Sequence, residues 1–470
     1  MRKIKVWLLF IIFMCNLSYN TYAMERSIYL GGNLFQKTSE VTNNSGVTSK
    51  LIQYSNEYIA VNLDIPVISG LKNGDTEKAI NDKIQSTILT IKDSVEKMAK
   101  EDSELNKKTG YDVRQYNVTS EYNISYNKDN LLSVVLTLYQ YTGGAHGSTS
   151  KIAYNFDVNT GKYGVLQDFL GNNPDYRATV LKEIKTQMEK DIQKYFPDSI
   201  KNLNGIPYNQ NFYLTDDGVV VYFGEYAIAP YASGISEFKI PYKKFPKGLN
   251  NNVKILKNPL EIQTETYISS EDGFQPYLSY PVIKDDDNAI INNINKTIKE
   301  QVFSFNSLIK SKANEDKIKI NESGEAKVWG ASTYFKSYYV NKDLLSIVIT
   351  YSGNNGTTEN YVLYNKGYNI NLRDGRIYKL KDVFKGDFNF ISAINKEIKD
   401  QIKNLEMTLG HSNIYNFNSV NADTEFYIEN GNLIITFPQG EIAPKEYYNP
   451  EFKIPLSKFQ GNINKEFLEI

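Results

Sequence analysis

The sequence predicts an α+β protein made of two tandem copies, each of antiparallel sheets with helices packed on one face. Three observations predict it. The chain repeats itself: Phe238-Lys239-Ile240-Pro241 returns as Phe452-Lys453-Ile454-Pro455, and Ile228-Ala229-Pro230 returns as Ile442-Ala443-Pro444, at the same separation. Each copy mixes runs of period-two alternation with runs whose apolar residues fall three and four apart. Strands and helices follow one another without regular βαβ alternation, which argues for antiparallel pairing. At 470 residues there is room for roughly two to four domains.

Residues 1–23 read as a signal peptide. Arg2, Lys3 and Lys5 form its basic end, Val6 to Cys15 its apolar run, and Thr21-Tyr22-Ala23 its cleavage site. The apolar run falls short of the ~20 residues a membrane span needs, and no later segment could span. Met14 is bulky where a lipid-attachment motif wants a small residue, so lipidation at Cys15 is not expected. Cleavage removes three cations and the single cysteine, leaving a mildly acidic, disulfide-free chain. The expected location is secreted or extracellular, free or held at the cell wall. The Lys, Asn, Ile and Tyr bias suits a low-GC Gram-positive bacterium.

Residues 24–50 read as a flexible leader, Ser/Thr/Asn-rich from 36 onward. Copy one divides into 51–140 and 141–245. It opens with an extended segment, Tyr58 to Val67. A helix follows on Ile80, Ile84, Ile88, Ile91, Val95 and Met98, matched in copy two by Ile290, Ile294, Ile298, Val302, Phe305 and Ile309. Asp285-Asp286-Asp287 is expected to cap that second helix rather than hold a cation. A hairpin comes next: Tyr122 to Tyr126, a turn at Asn127 to Asn130, and Leu131 to Tyr141. Copy two has Tyr338 to Val340 and Leu344 to Tyr351 in its place. A second helix carries Val180, Ile184, Met188 and Ile192, matched by Ile394, Ile398 and Ile402. A last hairpin turns through Asp216-Asp217-Gly218, or Glu429-Asn430-Gly431, where Asp-Gly and Asn-Gly are expected to supply positive φ. Residues 246–258 form a linker. Copy two divides into 259–351 and 352–460.

Charge is balanced, 53 Lys+Arg against 54 Asp+Glu, so no basic stripe suggests nucleic acid. Tyrosine is abundant, at 36 residues, which suits strands with one wet face or a binding surface. The two histidines, His146 and His411, do not make a zinc site with any H-E-x-x-H or paired-Cys spacing. No nucleophile elbow or phosphate loop occurs. No catalytic residue, metal or cofactor is therefore assigned, although a dispersed carboxylate pair of glycosidase type stays open.

Two loops stand out. Tyr141-Thr142-Gly143-Gly144-Ala145-His146-Gly147 follows a long strand, and its glycines permit unusual backbone angles and close approach. It reads either as a contact loop or as a tight bend whose His bonds its own loop. Copy two has Ser352-Gly353-Asn354-Asn355-Gly356 there, without the His. The second loop, Gly224 to Gly234, brings Tyr226 and Tyr231, and reads as a structural connection or a contact surface. The candidate ligand-binding residues are Tyr141, Gly143, Gly144, His146, Tyr226 and Tyr231. His411 reads as part of a helix C-terminal cap.

The Tyr-Thr-Gly-Gly-Ala-His-Gly run and the endings Phe212 to Gly218, Ile228 to Gly234 and Phe238 to Pro241 carry a resemblance. They resemble the extracellular region of the RsiV anti-sigma factors, which act as lysozyme receptors, and the non-catalytic N-terminal region of PdaC-type peptidoglycan deacetylases. The resemblance implies a PdaC-type module at 51–140 and an RsiV-like module at 141–245, with weaker copies at 259–351 and 352–460. Only five residues precede the apolar run, so sigma-factor signalling is not expected. The chain ends inside copy two, so a deacetylase domain is not expected. The resemblance implies a non-catalytic envelope protein that binds a lysozyme-like protein or peptidoglycan. An unrecognised peptidoglycan-acting enzyme and a structural envelope protein are the alternatives.

Overall fold

The structure is a computed structural model that describes residues 38–39, 46–255, 257–269, 273–285, 288–323, 328–355, 361–459 and 461–467. The expected signal peptide, most of the leader, Asp286, Asp287 and Gly356 lie outside the described residues.

Copy one begins with β1 (Thr38–Ser39), β2 (Gly46–Ser55), β3 (Ile59–Ser69), α1 (Gly74–Thr109), β4 (Tyr116–Lys128), β5 (Leu131–Tyr141), β6 (Ser148–Asp157) and β7 (Lys162–Tyr163). Its strands form a seven-stranded sheet in chain order. Next come α2 (Leu166–Leu170), α3 (Tyr176–Met188) and α4 (Ser199–Asn202). A three-stranded sheet closes the copy, from β8 (Phe212–Leu214), β9 (Gly218–Phe223) and β10 (Ser236–Pro241). Copy two repeats the plan. A five-stranded sheet takes β11 (Glu261–Ile268), β12 (Phe274–Lys284), β13 (Trp329–Tyr339), β14 (Leu344–Asn354) and β15 (Val362–Asn371), with α5 (Ala289–Ser323) between β12 and β13. Then come α6 (Phe390–Leu409) and a sheet of β16 (Phe426–Glu429), β17 (Asn432–Thr436) and β18 (Glu451–Pro455).

The α+β class and the duplication stand, with local departures. β3 pairs with β4, and β12 with β13, in parallel, because a long helix carries the chain back between them. Residues 46–50, expected in the leader, are strand: Val47 and Ser49 alternate into the core. β6 pairs with β5 from Gln140↔Ser148 to Leu131↔Asp157, so the first sheet runs well past residue 140. In copy two β15 extends the sheet past residue 351 in the same way. Asn288, not Asp285, caps α5: its Oδ1 accepts the N–H of Ile290 and Ile291, while Asp285 accepts from the Asn288 amide. Ile192 misses the core because α3 ends at Met188 and the backbone breaks at Asp191 (φ −144°), leaving Ile192 60% exposed. Gly218 does not supply positive φ; its missing Cβ admits the Ile240 carbonyl, 2.5 Å from where that atom would lie. Asn430 and Gly431 do supply it, at φ 47° and 81°.

In copy one, Ile80, Ile84, Ile88 and Val95 of α1 bury against Leu63, Val118, Leu136 and Phe156 of the large sheet. Asn73 caps α1 by accepting two N–H groups, and Gly110 (φ 74°) ends it. The second core lies between α3 and one face of the small sheet, with Val180, Ile184, Phe212, Val221 and Phe238.

The two sheets of a copy are joined by a polar clasp. β8 is an edge strand, and its outward backbone groups must find partners. Leu214 N–H donates to Ser133 Oγ and Asn155 Oδ1, both at 3.2 Å, and Asn155 Nδ2 donates to Phe212 O at 3.1 Å. Ser133 in turn donates to Asn155 at 2.7 Å. Copy two has the same clasp. Ile428 N–H donates to Ser346 Oγ at 2.8 Å, Asn369 Nδ2 to Phe426 O at 3.0 Å, and Ser346 to Asn369 at 2.7 Å. This clasp fixes each small sheet, and hence the loop after its second strand, over the large sheet.

Candidate functional site

The clasp places the β9–β10 loop beside the β5–β6 loop in copy one. Three of the six candidate residues meet there. The His146 ring stacks on Tyr231, with centroids 4.1 Å apart and planes 25° apart, and Tyr231 stacks on Tyr226 at 5.8 Å and 28°. Both spacings suit attractive π contact. Tyr226 and His146 are exposed, and Tyr231 is half-buried.

Each loop is held from its own backbone. Gly143 has φ 81°, and its carbonyl accepts from the Arg114 guanidinium. Gly147 is buried against Tyr139, whose ring would lie 2.3 Å from any Cβ at that position. His146 Nδ1 lies 2.8 Å from the Gly147 carbonyl, so Nδ1 carries the proton and Nε2 points elsewhere. The loop is thus a tight bend whose His bonds its own backbone, as one of the two readings expected. Across the gap, Thr149 N–H donates to Glu225 Oε2 at 3.1 Å. The second loop is pinned by buried Ile228 and Ala229. The Ile228 carbonyl accepts from Phe196 N–H (3.1 Å) and Ser199 Oγ (2.7 Å).

Tyr226 has φ 61°, a region that a bulky side chain rarely occupies. The equivalent residue in copy two is Gly440, at φ 81°. Copy one therefore keeps a tyrosine where the same turn accepts glycine. Such strain concentrates at functional positions. Tyr231 has its pKa raised, by burial first and then by Glu225.

The remaining candidates play other parts. Tyr141 ends β5 opposite Asn117 and stays out of the stack. Gly143 shapes the bend, and Gly144 is exposed. Sequence reasoning missed Tyr139, which backs Gly147, and Glu225, which ties the loops together. It also missed Phe196, 38% exposed beside the second loop. The spacing Tyr139–Tyr141 on one strand face was a readable hint. His411 follows the C-cap Gly410 and donates its N–H to Glu406 O at 3.2 Å, as a cap residue should.

The stack presents two exposed rings, those of Tyr226 and His146. A concavity of about 300 Å³ lies elsewhere, between the copies, lined by Tyr163, Lys257, Leu260, Glu261 and Lys284 among others. Among the described residues no group of His, Cys, Asp and Glu could hold a metal ion.

Glu429 accepts from the Tyr338 hydroxyl at 2.7 Å and pairs with Lys453 at 2.6 Å. Burial pushes its pKa up, but the Lys453 charge and these bonds outweigh burial and hold it low. Glu451 accepts from Asn365 (2.7 Å) and Tyr427 (3.3 Å), and crowding by protein atoms pushes its pKa up. Its accessible area is nevertheless that of an exposed residue, so water relieves part of that push. Opposed shifts are what an acid–base pair requires. Here, however, the oxygens are engaged by protein donors between two sheets.

Residues 52–149 match the family model described as Deacetylase PdaC, and residues 167–243 and 381–457 match the one described as Protein of unknown function (DUF3298). The chain thus carries a PdaC-like domain and two DUF3298-like domains, and the repeated DUF3298 match fits a tandem pair. Peptidoglycan-N-acetylmuramic acid deacetylase PdaC of Bacillus subtilis is 26% identical over 129 residues, covering 26% of this chain. The match spans about a quarter of that relative's length, 27%. A DUF3298 family member from Bacteroides fragilis is 19% identical, with TM-score 0.37, covering 45% of this chain and 96% of its own. One from Pseudomonas aeruginosa is 18% identical, with TM-score 0.32, covering 47% and 95%. Among the described residues no helix is long and apolar enough to cross a membrane.

Proposed function

We propose that this is a non-catalytic binding protein of the cell envelope, exported from the cell, and that the two loops of copy one take a wall-associated protein of lysozyme type. The observation that carries this is the exposed stack of His146, Tyr231 and Tyr226, with Tyr226 held at positive φ. Tyrosines set among Gly, Ser and Thr suit recognition of a macromolecule, because they give large, rigid, amphipathic contact at low entropic cost. Glu225 beside the stack favours a basic partner such as lysozyme. The PdaC likeness supports an envelope setting. Peptidoglycan is the competing ligand, and its fragments belong in the same experiment.

The enzyme reading has the Glu429–Glu451 pair in its favour. We set it second because Lys453, Tyr338, Asn365 and Tyr427 account for both carboxylates as structural groups.

The test is calorimetric titration of the chain from Met24 with a c-type lysozyme and with soluble peptidoglycan fragments, alongside His146→Ala. Lysozyme binding that weakens about tenfold in the variant supports the reading. Binding of fragments alone replaces the protein partner with glycan. Turnover of the fragments, abolished by Glu451→Gln, would favour the enzyme instead.

A further inference from the structure

We propose that copy two carries a second contact surface, centred on Tyr448, for a second molecule of the partner that copy one takes. The inference rests on the reading of the copy-one loops as a binding surface. What motivates it is an exchange of residues. The β9–β10 and β17–β18 connections share one backbone course. Both bury Ile-Ala before a proline, as Ile228-Ala229 and Ile442-Ala443. Both then make one 3-10 turn, Tyr231–Ser233 and Lys445–Tyr447. Each connection has two positive-φ positions at equivalent places. Copy one has Tyr226 (φ 61°) and Gly234 (φ 60°); copy two has Gly440 (φ 81°) and Tyr448 (φ 53°). Glycine and tyrosine have traded places.

Glycine would suit all four positions. Each copy instead keeps one tyrosine there, and in each the strained tyrosine is exposed, Tyr226 to 49% and Tyr448 to 60%. Drift that relaxed one loop would replace its strained tyrosine without creating another across the turn. A tyrosine held twice, at different positions of one loop, points to two surfaces of different shape. Around Tyr448, Tyr447 packs on Tyr415 with centroids 6.1 Å apart. Glu406 at the end of α6 accepts the N–H groups of Ile414 and Tyr415 at 2.7 and 3.2 Å, which fixes that ring's backbone. Lys445 takes the position of Tyr231, so this surface lacks the three-ring stack. Glu441, Lys445 and Glu446 are exposed in the same loop, two acids against one base. Acid beside an exposed tyrosine repeats the Glu225–Tyr226 pairing of copy one and selects the same kind of basic protein partner.

The experiment is titration of the chain from Met24 with a c-type lysozyme, reading stoichiometry by calorimetry and by sedimentation. Glycine is the natural occupant of both positions, so Tyr226→Gly and Tyr448→Gly should fold, and circular dichroism melting checks that they do. The expected result is two lysozymes per chain and one in either variant. The double variant should bind at least about tenfold more weakly than either single one. One lysozyme per chain, lost in Tyr226→Gly and untouched in Tyr448→Gly, overturns the second surface and leaves copy one's reading intact. No binding to the unaltered chain overturns both.

Discussion

At the residue scale, the positive-φ tyrosines give the sharpest expectations. Holding a bulky L-residue at such an angle costs about 1–2 kcal/mol. Tyr448 makes no ring stack among the described residues, so Tyr448→Gly should raise stability by about 1 kcal/mol in urea unfolding. Tyr226 also stacks on Tyr231, a contact worth about 0.5–1.5 kcal/mol. Relief and loss then nearly cancel, and Tyr226→Gly should stay within about 0.5 kcal/mol of the parent. Gly440→Ala, with φ 81°, should cost about 1 kcal/mol or more. Glu429 gives a pH expectation. Its carboxyl is held below its ordinary value of 4.5, chiefly by Lys453 against the opposing effect of burial, so the ionised form favours the fold. Its contribution is complete above pH 4.5 and fades as pH falls through the lowered value. Glu429→Gln should therefore flatten the acid-side decline in stability, at the cost of an unpaired Lys453 above it. The histidine loop was legible because three glycines around one His is an unusual local pattern. Its stacking partner was not, since residues 146 and 231 meet only through packing of the whole copy.

At the element scale, the clasp is the feature that sets site geometry. Each clasp buries a serine and an asparagine whose only apparent role is to satisfy the free edge of a short strand. Leaving such groups unpaired costs about 1–3 kcal/mol. Asn369→Leu removes the partner of the Phe426 carbonyl, and Asn155→Leu that of the Phe212 carbonyl, so each should destabilise its copy by about 2 kcal/mol or more in urea unfolding. Asn155→Leu should also weaken partner binding, because the clasp carries the loop of Tyr226. The helices and hairpins were legible from apolar period and turn residues. The clasp could have been read from the duplication, as Leu-Leu-Ser (131–133, 344–346) and Tyr-Asn (154–155, 368–369) recur together. Parallel pairing across α1 and α5 was hidden, because local pattern does not say to which edge a long helix returns its chain. The strand at 46–50 was hidden by polar residues that alternate inward only at Val47 and Ser49.

At the scale of the whole molecule, the copies are joined by specific contacts. Asn432, fully buried, donates to Asn202 O at 3.0 Å and accepts from Asn204 Nδ2 at 2.9 Å. Gly431 lets the Asn204 carbonyl approach to 2.7 Å of where a Cβ would stand. Lys83 and Tyr163 of copy one both engage Glu261 of copy two. These contacts should make the copies unfold together in a single transition, and Asn432→Ala should split it in differential scanning calorimetry. The duplication was plain in the sequence, but the packing of one copy on the other was not, since Asn432, which joins them, has Gly218 at the matching position of copy one. On the proposed reading, the tyrosine loop of copy one meets a protein partner. The most direct test is the affinity of Tyr226→Gly for a c-type lysozyme, measured beside its unfolding free energy. We expect the copy-one site to weaken by about tenfold or more with stability essentially unchanged. Affinity equal to that of the parent at equal stability would contradict the account.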